Sequence, residues 1–385
     1  MTILRKLTTP RVDPPMLLAV VALVIIGVVM VASSSTVFAL QTYGDPWFFA
    51  KRQAVFAIFG VLALALAAAI PPQFWERNAL RLLGFAFALL VAVMLPGIGH
   101  TAGGARRWIQ LGPVLLQAGE IMKVALVVWL ASSLARKMGE PMRRFTVGVL
   151  PHFLIPGAAI ALLLLEPDFG TSAMLLLLTF LMLFVAGARI GYLFGGALAA
   201  FPIALHFVAS SDYRMKRVLA FLDPWAHRRD IGYQITESLM TFGSGQFFGL
   251  GLGESKQKLF FLPAAHTDFI FAIIGEEFGF LGVVVVLGCF AVISWRALQA
   301  AIRLNRPFSS YLTLGLASLL LVQALFNVSV VLGLVPTKGI TLPFVSYGGS
   351  SLIASMFIAG MLLRLTSDGL SARPDESAGR GGYPP

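Results

Sequence analysis

Residues 243–282 read GSGQFFGLGLGESKQKLFFLPAAHTDFIFAIIGEEFGFLG. The stretch begins polar, glycine-rich and basic and ends as an apolar helix. His266, Thr267 and Asp268 stand at the junction, with Glu276 and Glu277 further in. A carboxylate at the mouth of a membrane helix is costly unless it faces protein or water, so such a residue marks a functional site by default. Two roles are open at the junction. Thr267 or Asp268 could cap the following helix by accepting from an orphan N–H, or Asp268 could carry chemistry. Glu277 lies nine residues past Asp268, roughly 13 Å deeper at 1.5 Å per residue; neither Glu276 nor Glu277 is surface decoration.

The rest of the chain matches that helix. Of 385 residues 58% are hydrophobic and only 12% charged, with mean hydropathy +0.85, against roughly 25% charged in a soluble protein. About ten apolar runs approach the roughly 20 residues needed to cross a membrane. The expected fold is all-α: a polytopic integral membrane protein of ten transmembrane helices, with a large extracytoplasmic loop, residues 209–265, between the seventh and eighth. Almost no polar sequence is left for a soluble catalytic domain. The first span lacks the cleavage pattern of a signal peptide and reads as retained. Cys289 is the sole cysteine, so no intrachain disulfide can form. The net charge of +11 resides in loops at the membrane faces, where anionic lipid is the natural partner and no nucleic acid is expected.

Arg5, Lys6 and Arg11 place the amino-terminal segment, residues 1–15, in the cytoplasm by the positive-inside rule. A membrane domain then covers 16–366, with spans near 16–40, 55–70 and 80–95. The glycine-rich segment 97–119 falls outside, where Arg106 and Arg107 run against the charge rule and Trp108 suits an interfacial belt. Glu120 and Lys123, three apart, form either a local ion pair or a charged pair facing an interior cavity. Arg136, Lys137, Arg143 and Arg144 mark an inner loop, and LEPDFGT puts Glu166 and Asp168 outside, as loop and cap residues or as part of a site. The loop 209–265 is rich in cations: Arg214, Lys216, Arg217, Arg228, Arg229, Lys256 and Lys258. Spans near 268–295, 311–334 and 350–365 follow, and an even number puts both termini inside. Residues 367–385 form a polar tail with too little apolar surface to fold.

Residues 333–351, GLVPTKGITLPFVSYGGSS, would be a turn in a soluble protein. At membrane depth such backbone is tolerated when buried in protein or lining a cavity. One outer face therefore gathers Arg106, Arg107, Lys123 and Lys338 with Glu120, Glu166, Asp168 and Asp268. Cations beside a carboxylate suit a reaction on a lipid-linked phosphate: the cations stabilise the leaving group while the carboxylate takes a proton from an incoming hydroxyl. A glycosidase would also need a general acid, whereas a diphosphate leaves without one. No metal-ligand cluster, GxSxG, Walker or Rossmann motif appears in context.

HTDFIFAIIGEEFGFLG and PTKGITLPFVSYGGSSL together resemble the SEDS family (shape, elongation, division and sporulation) of peptidoglycan polymerases. RRWIQLG with GEIMK, EPDFGTS, and FLDPW with GYQ fall in the family's order. GLGESKQKLFFLP and PTKG resemble its division branch more than its elongation branch. QAGE, ending at Glu120, departs from the family's usual QPSE by one proline. The resemblance implies ten helices and a processive glycosyltransferase that polymerises lipid II on the outer face of the bacterial cytoplasmic membrane and releases undecaprenyl diphosphate. It puts the family's aspartate at Asp268, as general base or as the group orienting the acceptor hydroxyl. Arg106, Arg107, Lys123 and Lys338 are then expected to hold diphosphate, with Glu120 paired to Lys123. Glu166, Asp168, His266, Ser346, Tyr347 and Ser350 complete the expected substrate-binding set. No cofactor is implied outright, and a divalent cation, magnesium or manganese, is left open. A class B penicillin-binding protein with transpeptidase activity is the implied partner, with other divisome membrane proteins, at the division septum. A lipid II flippase or a non-catalytic divisome scaffold would use the same surfaces without Asp268 as a base.

Overall fold

The structure is a computed structural model describing residues 12–102, 105–112, 114–255, 262–337 and 339–371. Among these, nine helices are long and apolar enough to cross a membrane, and a tenth apolar helix, Phe169–Val185, is shorter at 17 residues. The ten-helix expectation therefore stands, with the sixth span covering roughly 25 Å at helical rise.

The first three helices are α1 (Pro14–Tyr43), α2 (Phe48–Ala69) and α3 (Pro72–Met94). Proline in the first turn opens α1 and α3, where its missing N–H is no loss, and Gly44 in left-handed conformation closes α1. Both α2 and α3 start about seven residues before the apolar runs do. Lys51, Arg52 and Gln53 in α2, and Glu76, Arg77 and Asn78 in α3, belong to helix although hydropathy alone leaves them out.

Segment 97–119, read from sequence only as a glycine-rich outer stretch, holds a three-stranded antiparallel sheet in the order β1 (Gly99–Ala102), β2 (Ala105–Leu111), β3 (Val114–Gln117). Trp108 pairs with His100 on one side and Gln117 on the other. Strand alternation turns Ala105, Arg107 and Ile109 toward the protein and leaves Arg106 and Gln110 exposed.

Then come α4 (Ala118–Arg136), α5 (Leu150–Leu165), α6 (Phe169–Val185) and α7 (Ile190–Ala209). Helix α4 is the axle of the bundle: Met122, Leu126, Leu130 and Leu134 are wholly buried against α3, α6 and α11 (Pro307–Val331). The large loop holds α8 (Asp212–Leu222) and α9 (Tyr233–Ser244) before α10 (Ile270–Arg303), and α12 (Gly349–Ser371) packs on α2. Helix α12 runs to Ser371, past the point at which the membrane domain was expected to end at residue 366.

Two irregular segments enter the bundle. Gly279 interrupts α10 with φ +63°, and the glycine loop before it fills the break. Leu250 and Gly251 donate to the Glu276 and Glu277 carbonyls at 2.9 and 3.0 Å, while Phe280 N–H donates to the Gln246 carbonyl at 3.0 Å. The second segment, 340–346, lies against α1 near its middle. A β-carbon on Gly27 would fall 2.5 Å from the Phe344 carbonyl oxygen, and Leu342, Phe344 and Val345 are buried. This is buried re-entrant backbone, as the membrane setting demands.

Candidate active site

Asp268 sits two residues before α10 begins, half-buried, at the outer end of that helix. Its backbone carbonyl accepts from Asn327 Nδ2 at 2.8 Å, and the same amide reaches the Ile340 carbonyl at 2.7 Å. Helix α11 thereby ties the start of α10 to the re-entrant segment. At Gly339 a β-carbon would lie 3.1 Å from Asp268 Oδ2, so bare backbone closes one side of the carboxylate. Burial pushes the Asp268 carboxyl up from an ordinary 3.8 to about 6, against the pull of the Arg217 and Arg107 guanidiniums. No side-chain cap holds the first turn of α10, so Asp268 does not act as its N-cap.

Arg107 leaves β2 on the protein side. Its guanidinium donates to the carbonyls of Glu166, at 3.3 Å, and Pro167, and approaches Asp168 Oδ1 at 3.9 Å. Glu166 and Asp168 then part ways. Asp168 caps α6, accepting from the Thr171 N–H and hydroxyl at 3.3 and 2.9 Å and from Gln117 Nε2 at 3.4 Å. Glu166 is buried with no hydrogen-bond partner at either carboxyl oxygen. Burial, with the Asp168 charge beside it, pushes the Glu166 carboxyl up to about 8, and Arg107 only partly offsets this.

Arg106 lies elsewhere. It is exposed on the other face of β2, aimed at the Met94 carbonyl at 3.5 Å, so the two neighbouring arginines do not act as a pair. Lys123 is buried between Glu120 Oε1 at 2.9 Å and Gln323 Oε1 at 2.7 Å. Gln323 passes the contact to the Thr341 carbonyl at 3.1 Å. Charges at i and i+3 thus face the interior and brace the re-entrant segment, and the exposed-pair alternative falls away. Lys338 lies outside the described residues.

His266 is enclosed by rings: Phe49 at 4.6 Å, Phe38 at 5.6 Å and Tyr347 at 5.8 Å between centroids. Burial holds its imidazole down at about 4, so it is neutral at physiological pH. The Tyr347 N–H donates to the His266 carbonyl at 3.0 Å, and Arg52 bonds the Tyr347 side chain. Ser346 and Ser350, expected near sugar, are fold brackets here. Ser346 Oγ donates to the Thr267 carbonyl at 2.6 Å and accepts from Leu342 N–H at 2.8 Å. Ser350 Oγ donates to the Leu115 carbonyl and accepts from the Gln117 N–H, joining α12 to β3.

Of the expected cluster, the fold brings Arg107, Glu166 and Asp168 together and sets Arg107 within electrostatic reach of Asp268. Arg217, one cation among several in the long loop, belongs with them and was not singled out; its position depends on α8 folding over the site. Asn327, visible as a polar residue in the ninth span, was given no role and Gln323 was missed, although a lone amide in an apolar span is the signal for such a tie. Further in, Glu277 accepts the Ser33 hydroxyl at 2.6 Å and Glu276 accepts that of Ser255.

A separate cavity of about 300 Å³ opens between α3, α4 and α12. Its walls are apolar, including Trp75, Leu82, Phe85 and Phe357, and Glu120 and Ser350 also line it.

A family model described as cell cycle protein, FtsW/RodA/SpoVE, matches residues 14–369. A probable peptidoglycan glycosyltransferase FtsW from Trichlorobacter lovleyi is 44% identical over 362 residues, covering 94% of each chain. A chain from a structure described as showing structural coordination of polymerization and crosslinking by a peptidoglycan synthase complex superposes with TM-score 0.78. It is 30% identical and covers 94% of this chain and 99% of that one. The crystal structure of the rod shape determining protein RodA of Thermus thermophilus gives TM-score 0.69 at 28% identity, covering 93% and 97%.

Proposed function

The chain belongs to the FtsW/RodA/SpoVE family of cell cycle proteins, the SEDS family, and from that premise we propose that it is a peptidoglycan glycosyltransferase of the division type, joining lipid II units into glycan strands. The observation that carries the reaction is Asp268: a half-buried carboxylate with backbone on one side and the fields of Arg217 and Arg107 acting on it. In the proposed step the acceptor hydroxyl oxygen attacks the donor's anomeric carbon and its proton passes to Asp268. The carbon–oxygen bond to the diphosphate breaks, and the electron pair leaves with undecaprenyl diphosphate. A carboxylate near pKa 6 is a stronger base than an ordinary aspartate and remains ionised at neutral pH. Arg107 offers charge-assisted N–H groups where negative charge grows on the leaving oxygen. The apolar cavity between α3, α4 and α12 suits an isoprenoid tail.

Among the described residues no three carboxylate, imidazole or thiol groups converge on a point, and Asp168 is already engaged by Thr171, Gln117 and Arg107. A magnesium or manganese ion held mainly by substrate phosphates needs only one or two carboxylates, and no step is routed through one. We further propose a class B penicillin-binding protein as partner, other divisome membrane proteins around the pair, and a septal location with both termini cytoplasmic. The basic loop Arg136–Arg144 supports that orientation.

The test is polymerisation of purified lipid II by the reconstituted protein with its penicillin-binding partner, the partner's transpeptidase blocked. Wild type should yield glycan chains. An equally well-folded, partner-bound Asp268→Asn should yield none, and equal product from both would remove Asp268 from the reaction.

A further inference from the structure

Helix α8 sends its three cations in different directions. Lys216 is exposed. Arg214 turns back on its own chain, bonding the Phe207 carbonyl and lying over the Phe207 ring at 3.9 Å and the Phe169 ring at 5.0 Å. Arg217, about one turn further on, is half-buried and donates from Nη1 to the Thr337 carbonyl at 2.7 Å. Thr337 is two residues from Gly339, whose Cα faces Asp268 Oδ2. Arg217 thus holds Thr337, and Gly339 borders the carboxylate.

We propose that Arg217 is a substrate-binding residue that holds the diphosphate from α8 while Arg107 holds it from β2. The inference rests on the glycosyltransferase reading and adds a residue to it. A diphosphate ester bound at an anomeric carbon carries charge on both phosphorus centres, and more gathers on the bridging oxygen as the bond breaks. Two guanidiniums on separate elements match that distribution better than one. Each carries five N–H donors in a rigid fork that fits paired phosphate oxygens. Both guanidiniums also act on the charge of Asp268, which puts each within electrostatic reach of it. Helix α8 packs mainly on α7 and carries Arg217 on its inward face, so the contact depends on this outer helix staying over the site.

Among the described residues, the charged and titratable groups around Asp268 are Arg217 from α8 and Arg107 from β2, with Glu166 and Asp168 beyond Arg107 and neutral His266 on its own segment. Lys338 belongs to the adjoining segment, outside the described residues. Replacing Arg217 removes one of two cations and has a defined effect on the base. The experiment compares wild type, Arg217→Gln and Arg217→Lys, full-length and with the partner, for initial rate against lipid II concentration between pH 5 and 8. Arg217→Gln should lower kcat/KM by about 10- to 100-fold, the size of one charge-assisted hydrogen bond, and move the acid limb to higher pH. Arg217→Lys should restore the limb and part of the rate. An unchanged kcat/KM, or an equal loss at every pH with the limb unmoved, overturns the proposal.

A second measurement needs no turnover: thermal stabilisation by geranylgeranyl diphosphate in detergent. Wild type should be stabilised, and Arg217→Gln should need at least about tenfold more ligand. Equal titrations overturn the proposal. If wild type makes no glycan but binds the diphosphate through Arg217, the polymerase reading fails and the diphosphate site stands.

Discussion

Asn327 holds Asp268 by its backbone: one amide nitrogen donates to the Asp268 carbonyl at 2.8 Å and to the Ile340 carbonyl at 2.7 Å. The position of Asp268, the proposed base, is therefore set from α11, through its backbone carbonyl and not its carboxylate. Asn327→Leu would leave two carbonyls without that donor, at about 1–3 kcal/mol each where they remain buried. The expected result is a variant that still inserts and binds its partner but polymerises lipid II about 10- to 100-fold more slowly, with little change in KM. Wild-type turnover by this variant would show that the tie is dispensable.

The pH dependence of polymerisation should report Asp268. With its carboxyl near 6, the basic form is lost below that value, so log(kcat/KM) should rise with unit slope to a bend near pH 6 and then level off. Asp268→Asn cannot accept the proton and should lose about 10²- to 10⁴-fold at all pH values. A bend near pH 4 would mean that the base is solvated in the free protein.

Glu166 makes a prediction of opposite sign for stability. Its carboxyl is pushed up to about 8 from an ordinary 4.5, so the unfolded chain loses this proton first as pH rises. The associated stability is complete below about 4.5, declines through the interval and is gone above about 8. Thermal unfolding in detergent should show the midpoint falling across this range in wild type, and by visibly less in Glu166→Gln, which stays neutral throughout. Parallel curves would mean that Glu166 is hydrated.

Lys123 and Glu120 form a buried pair completed by Gln323. Removing one charge, as in Glu120→Gln or Lys123→Met, leaves the other uncompensated at a cost of about 3–5 kcal/mol, whereas removing both is much closer to neutral. A double-mutant cycle on unfolding should show this coupling. Additive losses would place water or lipid headgroups within reach of the pair.

Much of this was legible in the chain, and the failures share a cause. Apolar runs gave the number and order of the spans because each helix must satisfy its own backbone in lipid. They misplaced the starts of α2 and α3, where Lys51 and Gln53, or Glu76 and Arg77, extend a helix through the interface. The sheet around Arg107 was invisible because its strands are short, with glycines between them in the sequence. Asp268 could be found from its place at a helix mouth and from a family motif. Arg217 could not, since nothing local distinguishes it from Arg214, and only the folding of α8 against Thr337 does so. Arg106 and Arg107 look equivalent until the strand period of two separates them.

The break at Gly279 gives the outer part of α10 a mechanical character of its own. Its missing rungs are supplied by the glycine loop at residues 246–251, so loop and half-helix form one splinted piece, with Asp268 at its tip. Nothing with a β-carbon fits the splint at Gly249, where it would strike the Glu277 carbonyl oxygen at 2.2 Å. The same loop also bonds the lower half of α10, where the Phe280 and Leu281 N–H groups donate to the Gln246 and Phe247 carbonyls at 3.0 and 3.3 Å, so it bridges the break from both sides. The exposed Phe247 and Phe248 ride on this splint, so a body that packs on them bears on the joint between the Asp268 half and the membrane-anchored half.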